Sequence, residues 1–425
     1  MRALYAILTG IVAAVLFPVA LAGKLIGKPG LSQRLTPPGM PPRAGRKRLW
    51  IHAASVGELG IAQALAAEVR KTDPDMSIVV STMTATGLGR IRRAMAAQPE
   101  SGIEAAFFAP LDNPLVTGAF VRAIDPTAFT LVETELWPSL INSLYRAGVP
   151  VSLVNGRLGR SAFRSYMILK RIMRPVVGRL ALLCVQSRKF SQRYILLGVP
   201  PERVEVIGNV KFDGLSAQAG IDAEAARDGF GIPPQMPLLV AGSTRPGEEE
   251  VLAQAFKRVL ARRPDAGLVL VPRHLNRMPE IAALLEKLGL PFVTRTSGRT
   301  MLSDGANILI LDTMGDLVRA FACADAAFVG GSLRDFGGHN PLEPASLGKP
   351  VLFGPYMEQI GSKELLARGA AALVHGEDDL AALLESLFSD PEKRARMGEA
   401  GKGVVGEFQG TLARTVACMI ERRVL

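Results

Sequence analysis

From Leu49 onward, short apolar runs alternate with segments of helical length, and a single break interrupts the alternation. Seven runs precede the break, at 49–53, 77–83, 105–111, 128–133, 150–155, 180–186 and 204–209. Seven more follow it, at 238–243, 267–273, 292–296, 307–313, 326–332, 350–354 and 371–375. Strands that alternate with helices are typical of parallel sheets covered on both faces. The pattern predicts an α/β protein with two doubly wound domains in tandem, and a ligand-binding cleft between them.

The break at 211–237 and the length of 425 residues both favour two domains. We place an anchor and basic linker at 1–48, a first domain at 49–215 and a second domain with C-terminal helices at 216–425. The cysteines and histidines are scattered: Cys184, Cys323, Cys418, His52, His274, His339 and His375. This spacing indicates a reducing compartment without a disulfide framework, and no bound metal is expected.

The segment 3–23 is an uncharged run of 21 residues, which is long enough to cross a bilayer as a helix. A cleaved signal peptide is the alternative, because Ala20–Ala22 resembles a cleavage site. Only Arg2 precedes the run, whereas seven basic residues lie between it and Trp50. Because positive charge stays on the cytoplasmic side of a membrane, the distribution favours a single uncleaved anchor with the remaining chain in the cytoplasm.

The stretch 136–201 contains no acidic residue and eleven basic ones: Arg146, Arg157, Arg160, Arg164, Lys170, Arg171, Arg174, Arg179, Arg188, Lys189 and Arg193. A charged run is usually a solvated face. In an anchored chain it also favours an anionic lipid surface or a phosphorylated lipid, at about 1 kcal/mol per basic residue. Nucleic acid is not an expected partner, because interleaved aromatic residues and nucleic-acid-binding motifs are missing.

Polar residues cluster directly after the predicted strands, where ligands of open α/β sheets bind. In the first half these clusters are Ser55 with Glu58, then 82–87, 133–138, 155–157 and 208–213. In the second half they are 242–249, 272–274, 312–317 and 330–344. Together they outline the predicted cleft.

Glu58 is the first acidic residue of the chain, and it follows a strand and a run of small residues at the start of a helix. A carboxylate there complements the helix dipole, by about 0.3–1 kcal/mol. The same position also suits a general base at the mouth of an α/β sheet. The stretch by itself leaves both interpretations open.

Two carboxylates of the segment ETELWP, Glu133 and Glu135, are two residues apart. In a strand they would share a face, and neighbouring carboxylates separate each other's pKa values, which suits acid–base chemistry. The alternative is that they merely lie at a helix start before Trp137 and have no chemical role. Lys211 lies at the predicted domain junction, where a solvated linker lysine is the alternative.

The segment 330–344 begins with a glycine-rich loop and ends in a predicted helix start, with Pro341 in the first turn. Free backbone N–H groups there suit a phosphate, and Glu343 suits the two hydroxyls of a ribose. Alternatively, Asn340 caps the helix and Glu343 completes a capping box, and the two roles are compatible. Arg273 ends a strand, where it can bind phosphate or carboxylate or form a salt bridge at the rim.

Six segments, in this order and at this spacing, resemble the 3-deoxy-D-manno-oct-2-ulosonic acid (Kdo) transferases of lipopolysaccharide synthesis: HAASVGE, ETELWP, GNVKFD, VPRH, DTMGDL and FVGGSLRDFGGHNPLEP. The resemblance runs from about Trp50 to Gly354. It implies a GT-B glycosyltransferase, with two Rossmann-like domains facing a cleft, at the cytoplasmic face of the inner membrane. It also implies inverting transfer of Kdo from CMP-Kdo to a lipid A precursor (lipid IVA), without a cofactor or a metal.

Position by position, the resemblance implies that Glu58 is the catalytic base, and that Glu133 and Lys211 stabilise the transition state. The implied nucleotide-binding positions are Pro272, Arg273, Met314, Gly315, Asp316, Asn340, Pro341, Leu342 and Glu343. The first domain would then bind the acceptor and the second domain the CMP-sugar. The basic surface at 146–193 would face lipid A phosphates and anionic phospholipid.

The chain departs from the family pattern at Arg245, where the family often carries His, and at Gly156 and Gly159, where other members have larger residues. At these three positions we expect contacts with the substrate to differ from those of other family members. Two alternative functions explain less of the sequence. A sugar-nucleotide epimerase on the same paired scaffold would not need an anchor or an acid-free stretch, and a non-catalytic membrane-bound lipid-binding protein would not need the segment 330–344.

Overall fold

The computed structural model describes residues 30–97, 102–301 and 305–425, with the side chains of 216–219 left out. The predicted anchor at 3–23 lies outside these residues. Within the described ranges, no helix combines the length and the apolar character needed to cross a membrane. One compact unit contains the described residues up to Asp213 together with Gly410–Leu425, and the other is Gly214–Gln409.

The first unit is built on a parallel sheet of seven strands in the order β3-β2-β1-β4-β5-β6-β7. The strands are β1 Arg48–His52, β2 Ser77–Thr82, β3 Ile103–Phe108, β4 Ala128–Val132, β5 Val151–Gly156, β6 Leu182–Val185 and β7 Val204–Val206. The helices up to the domain junction are α1 Ser32–Leu35, α2 Val56–Thr72, α3 Ala85–Ala97, α4 Pro114–Ile124, α5 Pro138–Arg146, α6 Arg160–Ile168, α7 Lys170–Val177 and α8 Arg188–Leu197. Short 3₁₀ helices follow at Pro201–Arg203 and Val210–Gly220.

The second unit also contains a parallel sheet of seven strands, in the order β10-β11-β9-β8-β12-β13-β14. Its strands are β8 Leu238–Thr244, β9 Gly267–Pro272, β10 Phe292–Thr294, β11 Ile308–Ile310, β12 Ala326–Val329, β13 Val351–Phe353 and β14 Ala371–Leu373. Its helices are α9 Ala223–Phe230, α10 Glu248–Arg262, α11 Met278–Leu288, α12 Leu317–Cys323, α13 Leu342–Ser346, α14 Ser362–Ala367, α15 Glu377–Ser389 and α16 Pro391–Glu407. Two 3₁₀ helices, Leu275–Arg277 and Arg295–Ser297, complete it.

Each predicted strand is present, and the predicted α/β fold with two tandem parallel sheets is confirmed. The strands read as apolar runs because both faces of each sheet are buried. In β1, Leu49 and Ile51 pack into one apolar cluster, whereas Trp50 points into another and meets Phe129 edge-on. The same alternation divides β8, where Leu239 belongs to one cluster and its neighbours belong to the second.

Local sequence explains where many helices begin and end. Four helices start at a polar side chain that accepts backbone N–H groups of the first turn: Ser55, Asn113, Asp222 and Asp390. Such caps satisfy N–H groups that have no acceptor within the helix. Three helices end at a glycine in the left-handed conformation, which a residue without Cβ adopts easily: Gly198, Gly231 and Gly289.

The last helix, α17 Thr411–Glu421, differs from the domain prediction, which assigned 216–425 to the second domain. It belongs to the first unit. Its Val416 and Met419 are buried in the same apolar cluster as residues of α2. The Asp213 carboxylate accepts the N–H groups of Thr411 and Leu412, at 3.1 and 2.6 Å. An amphipathic tail has no pattern that tells which sheet it covers, so the sequence could not reveal this return.

Candidate active site

Glu58 lies at the start of α2, directly beyond the carboxyl end of β1. Its Oε2 accepts the Ala54 N–H at 2.7 Å, and its Oε1 accepts the Ser55 hydroxyl at 3.0 Å. Ser55 Oγ in turn accepts the Glu58 N–H at 3.4 Å. This capping-box arrangement stabilises the helix start. The same hydrogen bonds fix the orientation of the carboxylate, so the structural and the chemical interpretations of Glu58 are compatible.

Burial raises the pKa of Glu58 above its ordinary value, and the negative charge of Glu133 adds to the effect. The hydrogen bonds from Ala54 and Ser55 oppose the shift, because they stabilise the ionised form. The pKa of Glu135 is raised as well, first by burial and then by the charge of Glu58. A carboxylate with a raised pKa is a stronger base and holds a proton more readily near neutral pH.

Glu133 forms an ion pair with Lys211, whose Nζ lies 2.8 Å from Glu133 Oε1. The two residues are 78 positions apart in sequence. Glu133 is mostly buried and Lys211 is half exposed. The structure therefore brings two of the candidate catalytic residues together, and Lys211 is not a free linker lysine.

The prediction that Glu133 and Glu135 share a strand face is wrong. Strand β4 ends at Val132, and both carboxylates lie in the turn that leads to α5. Glu133 adopts the left-handed conformation, with φ of 63°, which few residues with a Cβ adopt. An apolar run shows that a strand exists, but it does not show this reversal of the backbone at the strand's end.

Asn155 is the last residue but one of β5, the strand next to β4, and its role could not be read from the sequence. It is buried and left-handed, with φ of 54°. Its Oδ1 accepts the N–H of Val210, the residue before Lys211, at 3.0 Å. The position of the cluster 155–157 after a predicted strand was the available signal, but that signal did not identify a partner.

In the second unit, the loop after β12 is held by Glu248, a fully buried carboxylate at the start of α10. Its Oε2 accepts the N–H groups of Gly331 and Arg245, at 2.7 and 2.9 Å. Its Oε1 accepts those of Ser332 and Leu333, both at 2.9 Å. A buried charge needs such partners. Glu248 therefore joins the turn after β8 to the glycine-rich loop, a role that sequence reasoning missed.

Two glycines of the segment 330–344 are required by close contacts. A Cβ at Gly330 would lie 2.5 Å from the Ser243 carbonyl oxygen, closer than atoms can approach. A Cβ at Gly338 would lie 2.3 Å from Met357 Sδ, and the left-handed φ of 72° also favours glycine. The loop therefore has little freedom to change its course.

Asn340 and Glu343 interact with each other at the start of α13. Asn340 Oδ1 accepts the Leu342 N–H at 3.1 Å, and its Nδ2 donates to Glu343 Oε1 at 3.3 Å. Pro341 occupies the position before the helix. Burial raises the pKa of Glu343, while the Asn340 hydrogen bond and the charge of Arg273 oppose that shift. The capping interaction leaves the second carboxylate oxygen of Glu343 for another role.

A cationic group lies at the carboxyl ends of β8 and β9. Arg245 Nη1 donates to His274 Nε2 at 2.8 Å, and its guanidinium stacks 5.3 Å from the Phe336 ring centroid. Burial and the charges of Arg245 and Arg273 lower the pKa of His339 to about 4. Among the described residues, neither Arg245 nor Arg273 forms an ion pair with a carboxylate. The rim salt bridge that was the alternative for Arg273 is therefore not formed, and the two arginines can accept an anion.

The remaining candidate positions lie on the same side of the second sheet. Pro272 is the last residue of β9, while Met314 and Gly315 follow β11, with Met314 strongly exposed. Asp316 accepts the Thr313 hydroxyl at 2.6 Å. Strands β11, β9, β8 and β12 are consecutive neighbours. The predicted nucleotide-binding positions therefore line one sheet edge, while Glu58 and Glu133 follow adjacent strands of the other sheet.

Comparison with known proteins identifies the family. Residues 30–214 match the family model described as 3-deoxy-D-manno-octulosonic-acid transferase (kdotransferase). The 3-deoxy-D-manno-octulosonic acid transferase of Haemophilus influenzae is 32% identical over 378 residues, which cover 88% of this chain and 86% of that protein. The chain belongs to the Kdo transferase family. The enzyme of the same name from Chlamydia muridarum is 30% identical over 360 residues, covering 83% of this chain and 81% of that one.

Solved structures show that the fold of this chain is shared more widely. A UDP-GlcNAc 2-epimerase from Neisseria meningitidis superimposes with a TM-score of 0.61 at 15% identity, covering 88% of this chain and all of the other. A glycosyltransferase from Rickettsia africae gives a TM-score of 0.61 at 12% identity, covering 89% and 99%. At such identities the likeness shows the fold alone. Family membership makes the chain a glycosyltransferase, which confirms the predicted enzyme class over the epimerase and the non-catalytic alternatives.

Proposed function

We propose that this Kdo transferase moves Kdo from CMP-Kdo to a lipid A precursor, lipid IVA, with inversion, and that Glu58 is the general base. The observation that carries this proposal is the Glu58 carboxylate, which two hydrogen bonds orient and burial makes more basic. As the acceptor oxygen attacks the anomeric carbon of Kdo, Glu58 takes its proton. The bond from that carbon to the CMP phosphate breaks in the same displacement.

Negative charge develops on the departing phosphate, and the donor sugar carries a carboxylate. A fixed ammonium group stabilises such charge most effectively when it is already oriented before the reaction. The ion pair with Glu133 orients Lys211. We assign to these two residues the stabilisation of the transition state.

We assign the binding site of the donor, CMP-Kdo, to the second unit. CMP-Kdo has two anionic groups, and the cationic side chains of Arg245 and Arg273 lack a carboxylate partner among the described residues. Asn340 and Glu343 are assigned to the ribose hydroxyls, and the loop fixed by Glu248 to the donor. The proposal involves no metal and no cofactor, because these cationic side chains balance the donor's charge.

For the acceptor and the membrane, we propose that helix α6 faces the lipid surface. Ile168 is 85% exposed and Leu169 is 49% exposed at the junction of α6 and α7. Four basic residues lie close in sequence to these two exposed side chains: Arg160, Arg164, Lys170 and Arg171. On the same helix, the Tyr166 hydroxyl lies 3.5 Å from the Thr134 carbonyl, beside Glu133. An anionic phospholipid surface and lipid A phosphates fit this arrangement, at the cytoplasmic face of an inner membrane with 3–23 as anchor.

The decisive experiment combines purified protein, CMP-Kdo generated in the reaction and a tetra-acylated lipid A precursor, with mass spectrometry of the lipid. We expect the lipid mass to increase by Kdo units. Glu58→Gln should lose this product and keep CMP binding, whereas Glu68→Gln, on the same helix, should behave as the wild type. An unchanged lipid mass would contradict the acceptor, and normal turnover of Glu58→Gln would contradict the base.

The membrane surface is tested separately with a tryptophan at Ile168. In vesicles containing phosphatidylglycerol, Ile168→Trp should give fluorescence that lipids brominated on the acyl chain quench. The matched control is Ile420→Trp, because Ile420 is also partly exposed but lies beside Thr72 and Met76, away from the carboxyl ends of the strands. Equal quenching at both positions, or quenching of Ile168→Trp only by a water-soluble quencher, would contradict this surface.

A further inference from the structure

At the carboxyl ends of two neighbouring strands of the first sheet, two residues have a side chain and yet adopt the left-handed conformation. These are Glu133 after β4, with φ of 63°, and Asn155 in β5, with φ of 54°. Such conformations persist only where the surroundings hold them in place, and they concentrate at functional sites. At this sheet edge they occur side by side, next to the ion pair of Glu133 with Lys211.

Asn155 is 1% exposed. Its two oxygen atoms accept hydrogen bonds, whereas its side-chain nitrogen donates none within the described ranges. Its carbonyl oxygen accepts from Gln186 Nε2 at 3.1 Å, and its Oδ1 accepts the Val210 N–H at 3.0 Å. Its Nδ2 is shielded from solvent and has no hydrogen-bond partner in the described part of the chain. An unpaired buried donor costs stability. The side chain therefore makes one specific contact, to Val210, despite that cost.

Val210 begins the 3₁₀ helix that carries Lys211, and its own side chain is buried in the apolar core. The N–H groups at a helix start have no acceptor within the helix. Two asparagine side chains provide acceptors here. Asn155 accepts from Val210, and Asn209 accepts from Lys211 at 3.1 Å. The backbone that carries the ammonium group is therefore fixed at two consecutive residues.

The other partner of the ion pair is fixed by residues adjacent to Asn155. The Glu133 N–H donates to the Val154 carbonyl at 3.0 Å, and the Glu133 carbonyl accepts the Arg157 N–H at 3.2 Å. The end of β5 thus holds Glu133 through its backbone, and it holds Lys211 through the Asn155 side chain. One short segment sets the relative position of both groups.

From this geometry we infer that Asn155 is a positioning residue for transfer, which acts by placing the Lys211 ammonium against Glu133. The inference rests on the role proposed above for Lys211. Asn155 does not touch the reacting atoms in this account. Its effect on the rate passes entirely through Lys211, and this separates it from a residue that only stabilises the fold.

The variant that tests this is Asn155→Gly, because glycine keeps the left-handed backbone and removes the side chain that accepts from Val210. Loss of positioning should lower kcat by roughly 10- to 100-fold, while CMP affinity stays unchanged, since the nucleotide positions belong to the other unit. Gln186→Ala is the matched control. It removes a different hydrogen bond to Asn155 and should leave kcat unchanged. An unchanged kcat in Asn155→Gly would overturn the inference.

A double-mutant cycle with Lys211→Met separates positioning from general stabilisation. If Asn155 acts through Lys211, adding Asn155→Gly to Lys211→Met should lower kcat no further. An equal fold-loss in both backgrounds would overturn the inference. Lys211→Met with normal kcat would instead overturn the proposed role of Lys211, so the two failures are distinguishable.

Hydrogen exchange on the wild-type protein gives a test that does not depend on a folded variant. The Val210 amide should exchange slowly because Asn155 Oδ1 accepts it. Exchange at the rate of an unprotected amide would overturn the inference.

Discussion

Lys211 donates a 2.8 Å hydrogen bond to Glu133 from a segment that follows β7, three strands further along the same sheet than β4. Lys211 is 48% exposed, so the pair adds about 0–1 kcal/mol to stability. A contact that contributes so little to folding, and in which Glu133 is held in the left-handed conformation, fits a role in the reaction.

Lys211→Met should therefore affect rate far more than stability. We expect kcat to fall by roughly 10²–10³, with almost no change in Tm. The matched control is Lys71→Met, since Lys71 is exposed and pairs with Glu68 at 2.7 Å in the same unit. Transfer assays and thermal unfolding of both variants measure the two effects. A large drop in Tm with Lys211→Met, in proportion to the loss of rate, would indicate a structural role instead.

Activity should fall in mild acid because of Glu58. Burial raises its pKa, and a general base works only when ionised. The acid limb of kcat/KM should therefore lie above the ordinary range of a glutamate, and Glu58→Gln should remove the limb together with the activity. The pH profile of transfer checks this. A limb at the ordinary glutamate pKa would argue against Glu58 as the base.

The same shift predicts a stability effect of opposite sign. A carboxyl group whose pKa is raised on folding contributes stability at low pH and loses that contribution as pH rises through its folded pKa. Glu58→Gln should therefore unfold at the same or a higher temperature than the wild type above neutral pH. Thermal unfolding across pH measures it, and a marked loss of Tm at high pH would contradict the burial argument.

Glu248→Gln should destabilise the protein by about 2–4 kcal/mol, because an amide cannot accept the four N–H groups that the buried carboxylate accepts. It should also weaken CMP binding, since the loop after β12 loses its fixed course. Glu250→Gln is the control, as Glu250 is exposed in the same helical turn. Urea unfolding and CMP titration measure both effects. Equal results for the two variants would contradict the assigned role.

Arg245→Gln should weaken donor use by roughly 10- to 100-fold, the loss expected for a hydrogen bond to a charged group. If Arg245 binds the nucleotide phosphate, the Kd of CMP and the KM of CMP-Kdo should rise together. If it binds the sugar carboxylate, only KM should rise. Arg262→Gln, at the far end of α10, is the control. Unchanged Kd and KM would remove Arg245 from the donor site.

Stability should also fall with acid because of His52, which is fully buried and hydrogen-bonded to Ser81 at 3.0 Å. Burial lowers its pKa to about 4. A lowered histidine pKa stabilises the fold above the unfolded value of 6.5, and that contribution is lost as pH falls towards 4. The free energy of unfolding should decrease by about 3 kcal/mol over this range. His52→Gln should lack this decrease, and parallel pH curves for the two proteins would contradict it.

The strands and the polar residues at their carboxyl ends were predictable because both depend on residues close together in sequence. An apolar run such as Leu49–Ile51 must be buried on both faces, and the residue types that follow it are visible in the sequence. The contacts of Lys211, Asn155 and Glu248 were not predictable for a physical reason. Each depends on a backbone reversal or on N–H groups far away in sequence, and no composition or spacing encodes them.

The glutamates illustrate this limit. Glu58 could be assigned to a helix start from its neighbours alone, because a capping box is a contact between residues three positions apart. Glu248 also lies at a helix start, yet its carboxylate reaches a loop 83 to 85 positions later. A position at a helix start thus led to a right placement for Glu58 and to a missed role for Glu248.

The return of α17 to the first sheet has a consequence for synthesis of the chain on the ribosome. The cluster beneath β1 and α2 lacks Val416 and Met419 until the whole second unit has been translated. Domains generally fold in the order in which they emerge. Here the unit whose synthesis begins first is completed last. Until α17 has been synthesised, the nascent chain exposes an apolar surface that must be kept from aggregating.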